Sequence, residues 1–225
     1  MTPITGLDLT GFTEYGPGAW EDDSGVAVSV HFFPVVPDLP APLHELARLR
    51  AGLAQVAAGA GGGLVEAVPA TVGGLPAVCQ LVKVPLGGRS GQAFVGSLTV
   101  PRAACSAVVK VQAAEEGTTG LRESMIMAEV GLDAYFRAHP YVDGEVGGLP
   151  SHVADDEEWD ARFPGHPLTL VRATLRRIAP TVTLDDGFRA LPPFGGPVPP
   201  QPVPQPAPQT PPQPPKRGWF RRKGA

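Results

Sequence analysis

Four strand-like runs, residues 64–71, 77–85, 92–100 and 106–113, follow one another with only short "VGGLP", "LGGRSG" and "PRAAC" connections between them. The runs are apolar and rich in β-branched residues, and the connections are glycine and proline turn chemistry. A parallel return needs a crossover of a dozen residues or more, so strands joined this tightly pair antiparallel. The middle of the chain is therefore committed to an antiparallel meander.

The flanks supply the layers that cover it. "GVAVSVHFF", residues 25–33, alternates as a further strand. Pro42 suits a first helical turn, and Leu46, Leu49, Leu53 and Val56 recur at helical spacing until the glycine run from Gly59 stops the helix. A second helix is expected over 120–138, with Leu121, Met125, Ala128, Leu132 and Phe136 on its apolar stripe. A third is expected over 167–178, with Leu168, Val171, Leu175 and Ile178 inward and Arg172, Arg176 and Arg177 mostly outward. The expectation is an α+β fold, an antiparallel β-sheet with helices packed on it. The long acidic stretch between the second and third helices reads as an irregular excursion within one domain.

Composition changes near residue 190. Of the 28 prolines, 13 lie between Leu191 and Pro215, and no acidic residue follows Asp186. The chain divides into a globular body (1–190), a Pro-rich linker (191–215) and a basic-aromatic end (216–225). The last carries Lys216, Arg217, Trp219, Phe220, Arg221, Arg222 and Lys223. Without these five cations the remaining chain has 13 basic against 22 acidic side chains, a net −9. An acidic body lacks the footprint that phosphates require, which argues against nucleic acid as a partner.

The linker is expected to be disordered after about Phe194, extended at about 3.1 Å per residue, with P-x-x-P spacings that suit either a spacer or a groove-binding ligand. The end suits docking to a protein partner or an anionic membrane surface, with Trp219 and Phe220 at the interface and the cations facing acidic groups. The N-terminal wording lacks a signal peptide, and no apolar run is long enough to be a transmembrane segment. With two cysteines and no C-x-x-C, a reduced cytoplasmic setting is expected, peripheral at the inner membrane surface if the tail docks there.

Tests for familiar chemistry fail one after another. "AGAGGGLVE" lacks the third glycine of a dinucleotide loop and follows a helix instead of opening one. "GGRSGQ" is a hairpin turn in place of a nucleophile elbow, because Gln92 stands where the elbow needs glycine. "LHELARL" lacks the second histidine of a zinc helix. His152, Asp155, Asp156, Glu157 and His166 would suit a hard cation if the loop gathered them, although a charge run is ordinarily a solvated surface. No metal or cofactor is expected.

The best ligand site on the body is the turn "AAEEGTTGLRE". Glu115 and Glu116 end a strand, and Thr118 and Thr119 precede a helix whose exposed amides suit an anion or are capped by those hydroxyls. Arg122 and Glu123 complete a polar cluster beside them. Cys79 and Cys105 fall about two strand spacings apart, roughly 9–10 Å, beyond the reach of a disulfide.

The order of strand, helix, antiparallel strands and helix, with "ATVGGLPAVCQLVKVP" leading into "AFVGSLTVP", resembles the PsbP-like fold family over about residues 20–138. That family includes photosystem II extrinsic subunits, a Ran-binding nuclear-import factor and many bacterial proteins. The resemblance implies a binding or accessory module, the family having no shared active site. The functional expectation is a non-catalytic cytosolic adaptor tethered through its stalk and tail. The alternative is an enzyme with a scattered polar site near 115–123 or the 152–166 loop.

Overall fold

A computed structural model describes residues 2–144 and 146–197. Most of the linker and all of the basic-aromatic end lie outside the described residues, together with the expectations placed on them. In chain order the strands and helices are β1 (Ile4–Gly6), β2 (Phe12–Gly16), β3 (Ala19–Asp22), β4 (Ala27–Phe33), α1 (Leu46–Gly59), β5 (Gly63–Val72), β6 (Leu75–Pro85), β7 (Gln92–Arg102), β8 (Cys105–Ala114), α2 (Leu121–Val130), α3 (Leu132–Tyr135), α4 (Pro167–Ile178), β9 (Thr183–Leu184) and α5 (Asp186–Arg189).

The fold is α+β. Seven strands form one antiparallel sheet in the order β2-β3-β4-β8-β7-β6-β5, and β1 pairs β9 in a small ribbon. The meander β5–β8 pairs as its short turns require, with Cys79 opposite Leu98. Because β4 pairs β8 while β5 occupies the far edge, α1 carries the chain across the sheet. Leu49 and Leu53 of α1 join Leu64, Ala67 and Val78 in a core on one face. On the other, Leu168, Val171, Leu175 and Ile178 of α4 join Leu81, Phe94, Leu98, Val109 and Val111. The close approach of α4 depends on Gly96, where a Cβ would overlap Leu175 Cδ1 and come within 2.9 Å of Val171 Cγ1. The two cysteines are free. The described chain stays attached to the body as far as Phe194, through Ala103 N–H donating to Pro192 O and Phe194 packing beside the α1 core.

Four sequence expectations are corrected. The 120–138 helix breaks at Gly131 (φ 82°, ψ 154°), which divides α2 from α3. Its apolar stripe faces solvent: Leu121, Met125, Leu132 and Phe136 are 52, 48, 64 and 51% exposed, and Ala128 is exposed as well. The inward side carries Arg122 and Ile126 instead, with Met127 and Val130 beside Tyr135 and Ala154. Helical spacing says which residues share a face; the polar groups awaiting Arg122 decide which face turns in. Likewise Arg172 of α4 is buried, although Arg176 and Arg177 are exposed as expected, and Val56 of α1 is exposed.

Candidate functional site

Where β8 ends, the Glu115 carboxylate folds back on the turn that leads to α2. Its Oε2 accepts from Gln92 N at 2.8 Å and its Oε1 accepts from Gly120 N at 2.6 Å. The amide expected to attract an anion is thus satisfied by the protein's own carboxylate. Gly120, left-handed at φ 70°, is the N-cap of α2, and no side chain caps it. Thr119 instead donates to Ser90 Oγ at 3.3 Å, and Glu116 and Thr118 are exposed, so capping by the two threonines is not what forms.

The turn faces the start of α4. His166 precedes Pro167 and caps this helix, its Nδ1 accepting from Leu168 N at 3.3 Å. The ring meets Phe94 edge-on at 5.3 Å, and its Nε2 lies 3.8 Å from Glu115 Oε1 and 3.8 Å from Glu123 Oε1. Burial, with the Arg122 charge adding to it, pushes His166 down to about 4. The ring is therefore neutral, and with Nδ1 accepting, its hydrogen sits on Nε2. Burial also raises Glu123, and the charge of Glu115 pushes the same way. A cleft of about 360 Å³ opens beside this cluster, lined by Glu115, Thr118, Arg122, Phe163, His166 and Leu170 among others.

Arg122 lines that cleft, but its guanidinium points away from Glu115. It is fully buried and donates through Nε to Ala154 O, through Nη1 to Asp160 Oδ1 and Thr169 Oγ1, and through Nη2 to Asp156 O, each at 2.9 Å. Arg172 holds the other side of Asp160 with two 2.9 Å bonds and donates to Asp155 O at 2.8 Å. These two arginines fasten the 152–166 segment onto α2 and α4.

A second buried cluster lies under the same segment. Lys83 Nζ donates to both oxygens of Asp155 at 2.9 and 2.7 Å and lies 3.0 Å from His152 Nε2. The His152 ring stacks on Tyr135 at 4.9 Å. Burial lowers Lys83, with Asp155 opposing, and burial pushes His152 down to about 4. All three donors of the ammonium are engaged, and Lys83 is 1% exposed, so it is a sealed fastening and not a reactive amine.

The loop does not gather His152, Asp155, Asp156, Glu157 and His166 around a common point. Each member meets a separate partner: His152 and Asp155 take Lys83, Asp156 pairs Arg137, Glu157 pairs Arg176, and His166 goes to Glu115 and Glu123. Opposite charge on neighbouring elements outweighs mutual approach of like charges. Of the expected ligand residues, Glu115, Glu116 and Thr118 line the cleft, Arg122 lines it but is held by structural partners, and Thr119 bonds Ser90 instead of lining it. Lys83 and the convergence of His166 on the glutamates escaped sequence reasoning. A histidine immediately before a Pro-led helix was the available signal for His166. Lys216, Arg217, Trp219, Phe220, Arg221, Arg222 and Lys223 lie outside the described residues.

No protein-family model, curated protein or solved structure matches this chain. No helix among the described residues is long and apolar enough to cross a membrane.

Proposed function

We propose that this protein is a non-catalytic binding module that presents the outer face of α2 and α3 to a protein partner. In this reading its stalk and basic-aromatic end hold it near an acidic partner or an anionic membrane surface in the cytoplasm. The outward stripe of Leu121, Met125, Leu132 and Phe136, each about half exposed or more, carries the proposal. Large apolar side chains exposed in a group mark interaction sites on otherwise well-packed proteins. The opposite side of the helix takes in an arginine, with all the desolvation that entails, while apolar side chains face water. That inversion is accounted for if the stripe meets another protein.

The interior charges support the same reading. Lys83, Arg122, Arg172 and Asp155 are bonded to structural partners and offer no nucleophile with an adjacent base. The proposal also takes the chain to be a PsbP-like binding module, on the sequence order of strand, helix, antiparallel strands and helix over about residues 20–138. An enzyme built on Glu115, Glu123 and His166 is the second reading, resting on their convergence beside the cleft.

A photo-crosslinking residue at Met125 in the full-length protein should yield one discrete adduct in extract, reduced in a Leu132→Asp/Phe136→Asp background. Diffuse labelling unchanged in that background would overturn the proposal. For the tether, the full-length chain should bind anionic vesicles in a salt-sensitive way, and a chain truncated after Pro215 should not. Equal partitioning of the two at low salt would remove the membrane arm.

A further inference from the structure

We propose that Glu115, Glu123 and His166 form a binding site for a first-row divalent metal ion, zinc or manganese. The three residues come from three separate places: the end of β8, the first turn of α2 and the N-cap of α4. One ligand atom from each lies within 4.8 Å of the others. Two observations beyond proximity point to a ligand. The His166 side chain is 9% exposed and its Nε2, aimed between the two carboxylates, has no hydrogen-bond partner. Glu123 Oε2 is also buried and unpartnered. Buried polar atoms are ordinarily satisfied, so two orphans in one cluster mark a missing neighbour.

One imidazole with two carboxylates suits zinc and manganese better than the all-oxygen shells of magnesium and calcium. Two ionised carboxylates balance a dication, which removes the conflict between Glu115 and Glu123. The Gln92 and Gly120 amides already fix the Glu115 carboxylate, in the way that outer bonds orient metal ligands. Binding requires the 3.8 Å separations to contract slightly and the His166 hydrogen to move from Nε2 to Nδ1. That shift breaks the long 3.3 Å bond from the Leu168 amide and leaves two N–H donors facing each other, so the ring must also turn slightly as the metal binds. Glu115 and His166 also line the cleft, from which water or a ligand would complete the shell. His152 and Asp155 form no such site, because the Lys83 ammonium stands between them. Bound metal would staple α2 to α4 from the inner side. This inference stands independently of what the outer face of α2 binds.

The test uses the untagged full-length protein, stripped with chelator and titrated calorimetrically with zinc and with manganese. One ion per chain is expected, with affinity falling at least about tenfold in Glu123→Gln and in His166→Asn, the latter keeping a residue suited to the N-cap. In wild-type protein, manganese should broaden amide resonances around 115–123 and 165–168 before any others, a readout that needs no variant. Absence of saturable binding at millimolar metal, or broadening centred elsewhere, overturns the proposal. So does binding unaffected by either substitution.

Discussion

Replacing Arg122 with Met separates a structural clamp from a ligand-binding residue. Methionine retains much of the apolar stem but abolishes four 2.9 Å bonds. The carbonyls of Ala154 and Asp156 then lose their charged donor, whereas Asp160 keeps both bonds from Arg172. An unsatisfied buried acceptor costs about 1–3 kcal/mol, and breaking a buried ion pair about 3–5 kcal/mol. Retention of Arg172 places the expected loss near the lower end, about 3–4 kcal/mol. For a body of this size that corresponds to a melting temperature lower by roughly 6–16 °C. Urea unfolding followed by circular dichroism should show an earlier midpoint with an unchanged slope. Arg122→Lys should recover less than half the loss, because one ammonium cannot reach four acceptors held in a planar fork. A variant within about 0.5 kcal/mol of wild type would refute the clamp and return Arg122 to the ligand site.

Three further outcomes follow from the packing. His152 and His166 titrate near 6.5 when unfolded and are held to about 4 when folded. The folded state therefore binds fewer protons in that window, and stability present above pH 6.5 is lost as pH falls toward 4, on the order of 3 kcal/mol per ring. Glu123, raised by burial, contributes with the opposite sign, and a urea midpoint flat from pH 7 to 4 would contradict the histidine account. Gly96→Val should destabilise by about 1–3 kcal/mol through overlap with Leu175 and Val171, measured as a lowered melting temperature. Burial pushes the Cys79 thiol up to about 12, with Glu66 adding to it, so native protein should show little reaction at Cys79 with a thiol reagent at pH 8 and full reaction when unfolded.

The meander was legible because short glycine turns leave its strands no alternative neighbours, and α4 because Leu168, Val171, Leu175 and Ile178 fall on one face between a proline and an alanine–proline end. β2 and β3 carry half-exposed, weakly alternating residues, and β1 and β9 are too short to declare themselves, so only pairing reveals them. The α2 stripe was visible, but its direction was not. Periodicity is blind to whether Leu121 or Arg122 meets the interior, because the answer lies in Asp160 and two carbonyls more than thirty residues away. Glu115 stood out through its place at a turn. Its meeting with His166 depends on how the 152–166 segment folds back, and no local signal encodes that.

The yield of the Met125 cross-link, compared between wild type and Leu132→Asp/Phe136→Asp, tests the central claim most directly. Both substituted side chains are more than half exposed, so the variant should melt within about 2 °C of wild type, as surface changes ordinarily do. The account predicts that this well-folded variant loses the discrete adduct. A variant that melts far below wild type would show the stripe to be core, and a folded variant with an undiminished adduct would show that the partner binds elsewhere.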